Sequence, residues 1–343
     1  MARWRTKDIS KLRSDFLIEK ELSIPIRILS LEAMKDRIRD THPKACDIQQ
    51  ELIWRWTGFK GERAVSYYLD FLPDKDYYIF HSLRLPSGKH FFQMDYLLLT
   101  ARCIIILECK NFYGTLSFDE SFNQLIRIAN DKEEGFQDPI SQVKWHRQQL
   151  LNFLRSLQIS LPVEYLVVIS NPSTIIKTTP QNKLALKKVV HGHSLLERIE
   201  EIVGRYQKES VDLKGIRRLS KLLLKHHTQE TFDVIKKYGI KKEDIVTGVK
   251  CPECQRIPMI RKKGTWFCSS CGCKDKNAHV SALNDYFLIE GPSITNQKFR
   301  DFVHLESKDT AKRLFGALNL PFTGTNKGRI YHKPENWDGS KKV

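Results

Sequence analysis

The spacing of apolar positions changes several times along the chain. Residues 1–57 are polar and helix-prone, closing at Trp54 and Trp56, and predict an N-terminal helical extension. Residues 62–72 (ERAVSYYLDFL) place Val65, Leu69 and Leu72 on one helical stripe. Tyr77–Arg84 and Phe91–Leu99 read as strands joined by the turn Pro86-Ser87-Gly88-Lys89. Cys103–Cys109 is a nearly continuous apolar run, the mark of a strand buried on both faces. Short strands around Gly114–Ile128, a helix from Pro139 to Leu157 and an apolar strand at Tyr165–Ser170 follow. Helix, strands, helix and strand predict an α/β domain with a central sheet over residues 58–175.

Downstream, residues 176–247 are basic and largely helical (IRRLSKLLLKHH) and read as a connector. Residues 276–334 predict three short helices, His279–Glu290, Thr295–His304 and Ser307–Leu318, with Gly291-Pro292 between the first two. A basic hairpin over Gly324–Tyr331 and a tail, 335–343, end the chain.

Charge narrows the partners. The 57 Lys and Arg against 40 Asp and Glu give a formal net charge of +17, which favours a polyanion, nucleic acid first. An anionic membrane surface is the weaker reading, because no stretch has the ~20 apolar residues that span a bilayer. The opening MARWRTKDISKLRSDF is basic but lacks the apolar core of a signal peptide, so a cytoplasmic protein without a membrane partner is expected. In that compartment the eight cysteines are free thiols or metal ligands.

Four charged residues sit where propensity alone would not put them. Glu62 shares the stripe of Val65 and Leu69, and Asp95 lies inside FFQMDYLLL. Glu108 and Lys110 end CIIILECK and, two apart, point to one face of their strand. Buried carboxylates are costly unless paired or metal-bound. Phosphodiester hydrolysis needs such a cradle: Asp95 and Glu108 for Mg²⁺ or Mn²⁺, Lys110 to orient water or stabilise charge, and Glu62 to bind the metal through water or complete the acidic patch. The bland alternative is a strand-end ion pair with Asp95 accepting backbone hydrogen bonds.

Gly61-Glu62 opening a helix, Gln93-Met94-Asp95, Leu107-Glu108-Cys109-Lys110-Asn111, Gly114 and Asp138-Pro139-Ile140-Ser141-Gln142 together resemble the nuclease-related domain, NERD, over residues 58–170. That family belongs to the PD-(D/E)XK phosphodiesterases. The resemblance implies a restriction-endonuclease-like core and a catalytic set of Glu62, Asp95, Glu108, Lys110 and Gln142. No proline precedes Asp95, a departure from the pattern that names the superfamily.

Cys251-Pro-Glu-Cys254 and Cys268-Ser-Ser-Cys271, thirteen residues apart, have the spacing of a Cys₄ zinc ribbon over residues 248–275. Each CxxC suits a knuckle bringing two thiolates to about 2.3 Å from one structural Zn²⁺. Cys273 is the alternative to Cys271, and redox dithiols are the alternative chemistry. His191 with His193, and His226 with His227, are further metal candidates. NQKFRDFVHLESKDTAKRLFGALN followed by GTNKGRIYH resembles a winged helix-turn-helix, with Lys308, Lys312, Arg313, Lys327 and Arg329 as DNA contacts. A helical cap on the zinc ribbon would account for the same pattern. Two functions fit the whole: a Mg²⁺-dependent deoxyribonuclease targeted by these modules, or a DNA-binding protein on an inert nuclease scaffold.

Overall fold

A computed structural model describes residues 18–73, 76–334 and 337, the side chain of Lys327 excepted. In chain order the elements are β1 (Ile18–Lys20), α1 (Ile26–Arg37), α2 (Ala45–Leu69), β2 (Tyr78–Ser87), β3 (His90–Leu99), β4 (Ile104–Lys110), β5 (Thr115–Asp119), β6 (Gln124–Ala129) and β7 (Lys132–Gln137). Then come α3 (Pro139–Ser156), β8 (Val163–Ile169), β9 (Ile175–Thr178), α4 (Lys183–Lys188), β10 (Val189–His191), α5 (Leu195–Gly204), α6 (Leu213–His226) and α7 (Val234–Tyr238). The remainder is β11 (Ile260–Lys262), β12 (Thr265–Phe267), β13 (Lys274–Asp275), α8 (His279–Ile289), β14 (Ser293–Thr295), α9 (Asn296–Val303), α10 (Lys308–Ala317), β15 (Phe322–Thr323) and β16 (Ile330–His332). Among the described residues no helix is long and apolar enough to cross a membrane.

The described elements form two compact units, one of residues 18–23 with Trp56–Glu230, the other of Ile24–Arg55 with residues 231–334. In the first, six strands run in the order β1-β2-β3-β4-β8-β10. The sheet is mixed: β2, β3 and β4 pair antiparallel, whereas β8 joins β4, and β10 joins β8, in parallel. On one face Ile104, Ile106 and Val167 pack with Val143, Leu150 and Leu154 of α3 and with Ile216, Leu219 and Leu223 of α6. On the other, Ile105, Leu107 and Val168 meet Val65 and Leu69 of α2 and Ile199 and Ile202 of α5. A second sheet, β7-β6-β5-β9, sends Leu116, Phe118 and Leu125 into the α3-side core.

Three sequence boundaries are redrawn. Residues 176–230 are not a connector: they supply the edge strand β10 and α4–α6, because the apolar stripe of α6 is buried in the core instead of facing solvent. Nor does a helix open at Glu62, since α2 runs unbroken from Ala45 through Gly58 and Gly61. Gly61 is there for close approach. A Cβ at that position would lie 2.5 Å from the Asn111 Cβ and 2.8 Å from the Ser170 Oγ, so only glycine lets the helix ride this near the ends of β4 and β8. Finally, the extension over 1–57 is not one piece, because Ile24–Arg55 belongs to the second unit.

Arg37 explains that membership. Its fully buried guanidinium donates through Nε to Asp285 Oδ2 at 2.9 Å and through Nη1 to the carbonyls of Val246 (3.0 Å) and Gly248 (3.1 Å). It also lies 4.6 Å from the Phe302 ring centroid. One side chain thus ties α1 to α8, α9 and the segment leading into the cysteines.

In this second unit β11, β12 and β13 form an antiparallel sheet carrying the cysteines. After it, α8, α9 and α10 with the antiparallel sheet β14-β16-β15 have the arrangement of a winged helix. Thr295 caps α9 and Ser307 caps α10, as their positions before apolar-periodic runs dictate. The cysteine sheet and the winged helix are not separate modules. Trp266, Met259 and Cys268 share one core with Leu283, Phe299, Phe315 and Tyr331, and Trp266 Nε1 donates to His279 Nδ1 at 3.2 Å.

Candidate functional site

The structure brings Glu62, Asp95, Glu108, Lys110 and Gln142 together, where β3 parts from β4. The β3–β4 ladder ends at the pair Tyr96–Leu107. One step beyond, the Cys109 N–H donates to the Asp95 carboxylate instead of a backbone carbonyl (2.8 Å). A side-chain acceptor thereby completes a donor that would otherwise be orphaned.

A kink prepares this position. Along β2, core contacts on the α3 side fall at Tyr78 and Phe80 and then at Leu83 and Leu85; along β3 they fall at Phe92 and Met94 and then at Leu97 and Leu99. Both strands switch parity, and the cross-strand register does not slip: His81 stays opposite Tyr96 and Leu83 opposite Met94. The switch is at Ser82, whose φ of 47° is left-handed and unfavourable for a residue with a Cβ. Asp95, opposite Ser82, is freed from the ordinary alternation and turned toward β4.

Glu108 and Lys110 share a face of β4, as their spacing requires. Lys110 Nζ donates to Glu108 Oε1 at 2.8 Å and to Gln142 Oε1 at 3.0 Å. Gln142 is delivered by the start of α3, where Asp138 accepts from the Ile140 and Ser141 N–H groups and Pro139 fills the first helical position. One turn on, the His146 ring lies 3.6 Å from Glu108 Oε2, beyond hydrogen-bonding distance. That Oε2 is buried without a hydrogen-bond partner among the described residues. Glu62 approaches from α2; its carbonyl accepts from the Tyr96 hydroxyl at 2.6 Å, and the Ser82 hydroxyl favours the charged form of its carboxyl.

The electrostatics are those of an acidic excess. Burial, then the Glu108 charge, pushes Glu62 up to about 7. Burial, Glu108 and Glu62 push Asp95 well above the carboxylate range. Burial would raise Glu108 too, but His146 and Lys110 outweigh it and hold the group low. Lys110 is raised despite burial because Glu108 and Asp95 surround it. Three carboxylates thus face one ammonium, with Lys20 of β1 contributing more distantly to Glu62. Sequence reasoning missed Ser82, His146 and Lys20. The stalled alternation in YIFHSLRL pointed to Ser82, and four-residue spacing from Gln142 pointed to His146.

In the second unit the sulfurs of Cys251, Cys254, Cys268 and Cys271 lie within 4.8 Å of one another, Cys251 to Cys271 at 3.6 Å and Cys254 to Cys268 at 3.5 Å. A tetrahedral ion with ~2.3 Å bonds needs sulfurs about 3.8 Å apart, so this set fits one Zn²⁺. Backbone N–H groups of Cys271 and Ser270 hold the Cys268 thiol down to about 6, as suits a thiolate donor. Cys273 is outside the set, and its carbonyl accepts from the Cys268 N–H at 2.9 Å. His191 and His193 stack at 5.3 Å, and neither histidine pair joins a group of three metal-binding side chains among the described residues.

Of the winged-helix cations, Lys308, Lys312 and Arg329 line one cavity of about 430 Å³ with Asn296, Arg300 and Asp309. Arg313 is exposed on α10 and not part of that lining, and the Lys327 side chain lies outside the described residues. Arg300 was not foreseen; it is fixed there by Asn296 Oδ1 at 3.1 Å and the Glu306 carbonyl at 2.8 Å.

Comparison with known proteins agrees with the geometry of the first unit. No curated protein and no solved structure matches the chain. Residues 57–170 match the family model described as the nuclease-related domain, NERD, a span that holds β2–β8 and all five clustered site residues. The chain carries a nuclease-related domain over residues 57–170.

Proposed function

We propose that this protein is a metal-dependent nuclease that hydrolyses phosphodiester bonds within DNA, in the cytoplasm, with its cysteine sheet and winged helix binding the substrate. The observation that carries the reading is the meeting of Asp95, Glu108 and Lys110 at the parting of β3 and β4, with a buried Glu108 oxygen left without a hydrogen bond among the described residues. Asp95 and Glu108 would hold Mg²⁺ or Mn²⁺, hard cations that prefer such oxygens. When bound, the cation neutralises phosphate charge and makes its water more acidic. Lys110, fixed by Glu108 and Gln142, orients the attacking water and stabilises charge growing on the phosphate. Glu62 completes the acidic wall and takes a proton near neutrality. In the second unit one structural Zn²⁺ would be held by the four gathered thiolates, while Lys308, Lys312, Arg313, Lys327 and Arg329 contact DNA, three of them through the cavity described above.

The test is nicking of supercoiled plasmid in Mg²⁺ or Mn²⁺, with Asp95→Ala and Lys110→Ala as controls of unchanged fold. Metal-dependent nicking abolished by both substitutions is the expected result. Plasmid bound in a gel shift but left uncut, with single-stranded DNA and RNA also uncut, would replace the nuclease by a binding protein.

A further inference from the structure

We propose that the outer face of α6 is a second nucleic-acid surface, one that tracks the phosphate backbone beside the nuclease site. The inference rests on the nuclease reading only for its biological sense, since the binding it claims needs no cleavage. Lys214, Arg217, Arg218, Lys221 and Lys225 are all exposed and recur at three- and four-residue intervals along one face. The helix holds no acidic residue (LKGIRRLSKLLLKH), and none of the five cations forms a salt bridge among the described residues. Three like-charged pairs at i,i+4 and two at i,i+3 therefore repel one another with nothing to relieve them. On the opposite face of the sheet, α5 mixes Glu197, Glu200 and Glu201 with Arg198. An ordinary solvated helix has that mixture.

The apolar stripe of α6 decides what kind of polyanion the cations meet. A basic amphipathic helix inserts into lipid by its apolar face. Here that face is already used: Ile216, Leu219 and Leu223 are buried against the sheet and α3. Only the charged side is left, and it suits a phosphate backbone. Lys214 to Lys225 spans about 16 Å at ~1.5 Å per residue, while one strand of B-DNA advances ~3.4 Å per phosphate, so the stripe matches about five phosphates.

The helix is also rigidly placed with respect to the site. At its end the His227 Nδ1 accepts from the Arg84 N–H at 3.2 Å, and the Thr228 N–H donates to the Arg84 carbonyl at 3.0 Å. Arg84 is two residues from Ser82 on β2. His226 meets the Phe153 ring of α3, edge to face at 5.4 Å, and α3 is the helix that brings Gln142 to Lys110. The stripe thus lies on the same side of the sheet as Glu108 and Lys110.

The experiment measures binding of the full chain to a 30-bp duplex by fluorescence anisotropy across a salt series, without added divalent cation. Compared are wild type, R217Q/R218Q/K221Q, the charge-retaining R217K/R218K, and K308Q/K312Q on the winged helix. With three phosphate contacts gone, the slope of log K against log salt should fall by about 2–3 and affinity at ~0.1 M salt by ten-fold or more. R217K/R218K should bind as wild type does, which separates charge from folding. Equal slope and affinity for the glutamine variant and wild type would overturn the proposal. So would an unchanged duplex affinity accompanied by lost binding to phosphatidylglycerol vesicles, which would assign the face to membrane. If the slope falls while no metal supports cleavage, the surface stands and the nuclease reading alone is lost.

Discussion

Each unit contains a buried pair of opposite charges, and the two pairs behave differently. In the second unit Arg37 and Asp285 balance one to one, and Nη1 of the guanidinium is met by the Val246 and Gly248 carbonyls, while Nη2 is buried without a hydrogen bond among the described residues. In the first, Lys110 and Glu108 make an equally short contact but stand among surplus acid, with Asp95 and Glu62 both pushed upward. A pair balanced one to one holds elements together. One with two further carboxylates pushed upward beside it is an arrangement that a cation would complete. Burial and distance are alike in the two places; the local charge balance tells structure from chemistry.

Removing the cation of each pair should break the comparison most plainly. Arg37→Met leaves Asp285 buried and uncompensated, at an expected cost of about 3–5 kcal/mol in unfolding by urea. Arg37→Met with Asp285→Leu should regain much of that loss. Lys110→Met, in contrast, leaves Glu108 beside His146 and two carboxyls already pushed toward their neutral forms, so it should cost less stability than Arg37→Met while lowering the rate of plasmid cleavage about 10²–10³-fold. A Lys110 variant as unstable as Arg37→Met would make both pairs structural and remove the distinction.

The two sites also differ in how far the sequence discloses them. The cysteines lie within twenty-one positions, and their CxxC spacing alone describes a knuckle. The carboxylate site is gathered from α2, β3, β4 and α3, so its residues were found through helical and strand periods and through the NERD resemblance. The central sheet, the three short helices after the cysteines and the shared strand face of Glu108 and Lys110 followed from those periods. What stayed hidden has tertiary causes. Residues 176–230 looked like a basic connector because the exposed cations of α6 dominate its composition, although its stripe fills the core. Residues 24–55 carry no local sign that Arg37 will meet Asp285, 248 positions away. Gly61 was taken for a helix start because close packing against Asn111 and Ser170 is invisible along the chain.

The acidic excess makes a smaller, pH-dependent prediction. Glu62 titrates near 7 in the folded protein against 4.5 in its ordinary state. Between those values the folded chain holds a proton that the unfolded chain has released, so stability falls as pH rises from about 4.5 to 7 and then levels. Screening by nearby water reduces the full shift to an effect of about 1–3 kcal/mol. Urea unfolding at pH 5 and pH 8 should show Glu62→Gln gaining on wild type at the higher pH. Mg²⁺ at pH 8 should raise the melting temperature of wild type and leave Asp95→Asn unchanged, because ligand bound only to the folded state stabilises it. The Arg37–Asp285 pair, balanced one to one, should not respond to Mg²⁺. If Glu62→Gln runs parallel to wild type across the range, the acidic excess is already neutralised in the free protein.

The smallest effect concerns the backbone that creates the excess. Ser82 holds φ at 47° within a strand, which costs about 1–2 kcal/mol for a residue with a Cβ, and its hydroxyl favours the charged form of Glu62. Ser82→Ala keeps the strain and loses the hydroxyl beside Glu62. Ser82→Gly loses the same hydroxyl but relieves the strain, so glycine should be the more stable of the two by about 1 kcal/mol. In both variants Glu62 loses a donor to its charged form, so its titration should move further upward when followed by carboxyl NMR. The order glycine above alanine reports the left-handed strand, and the shared NMR shift reports the hydroxyl's influence on Glu62. If the two variants were equally stable and Glu62 did not move, the kink would be independent of Ser82, and the placing of Asp95 against Cys109 would need another cause.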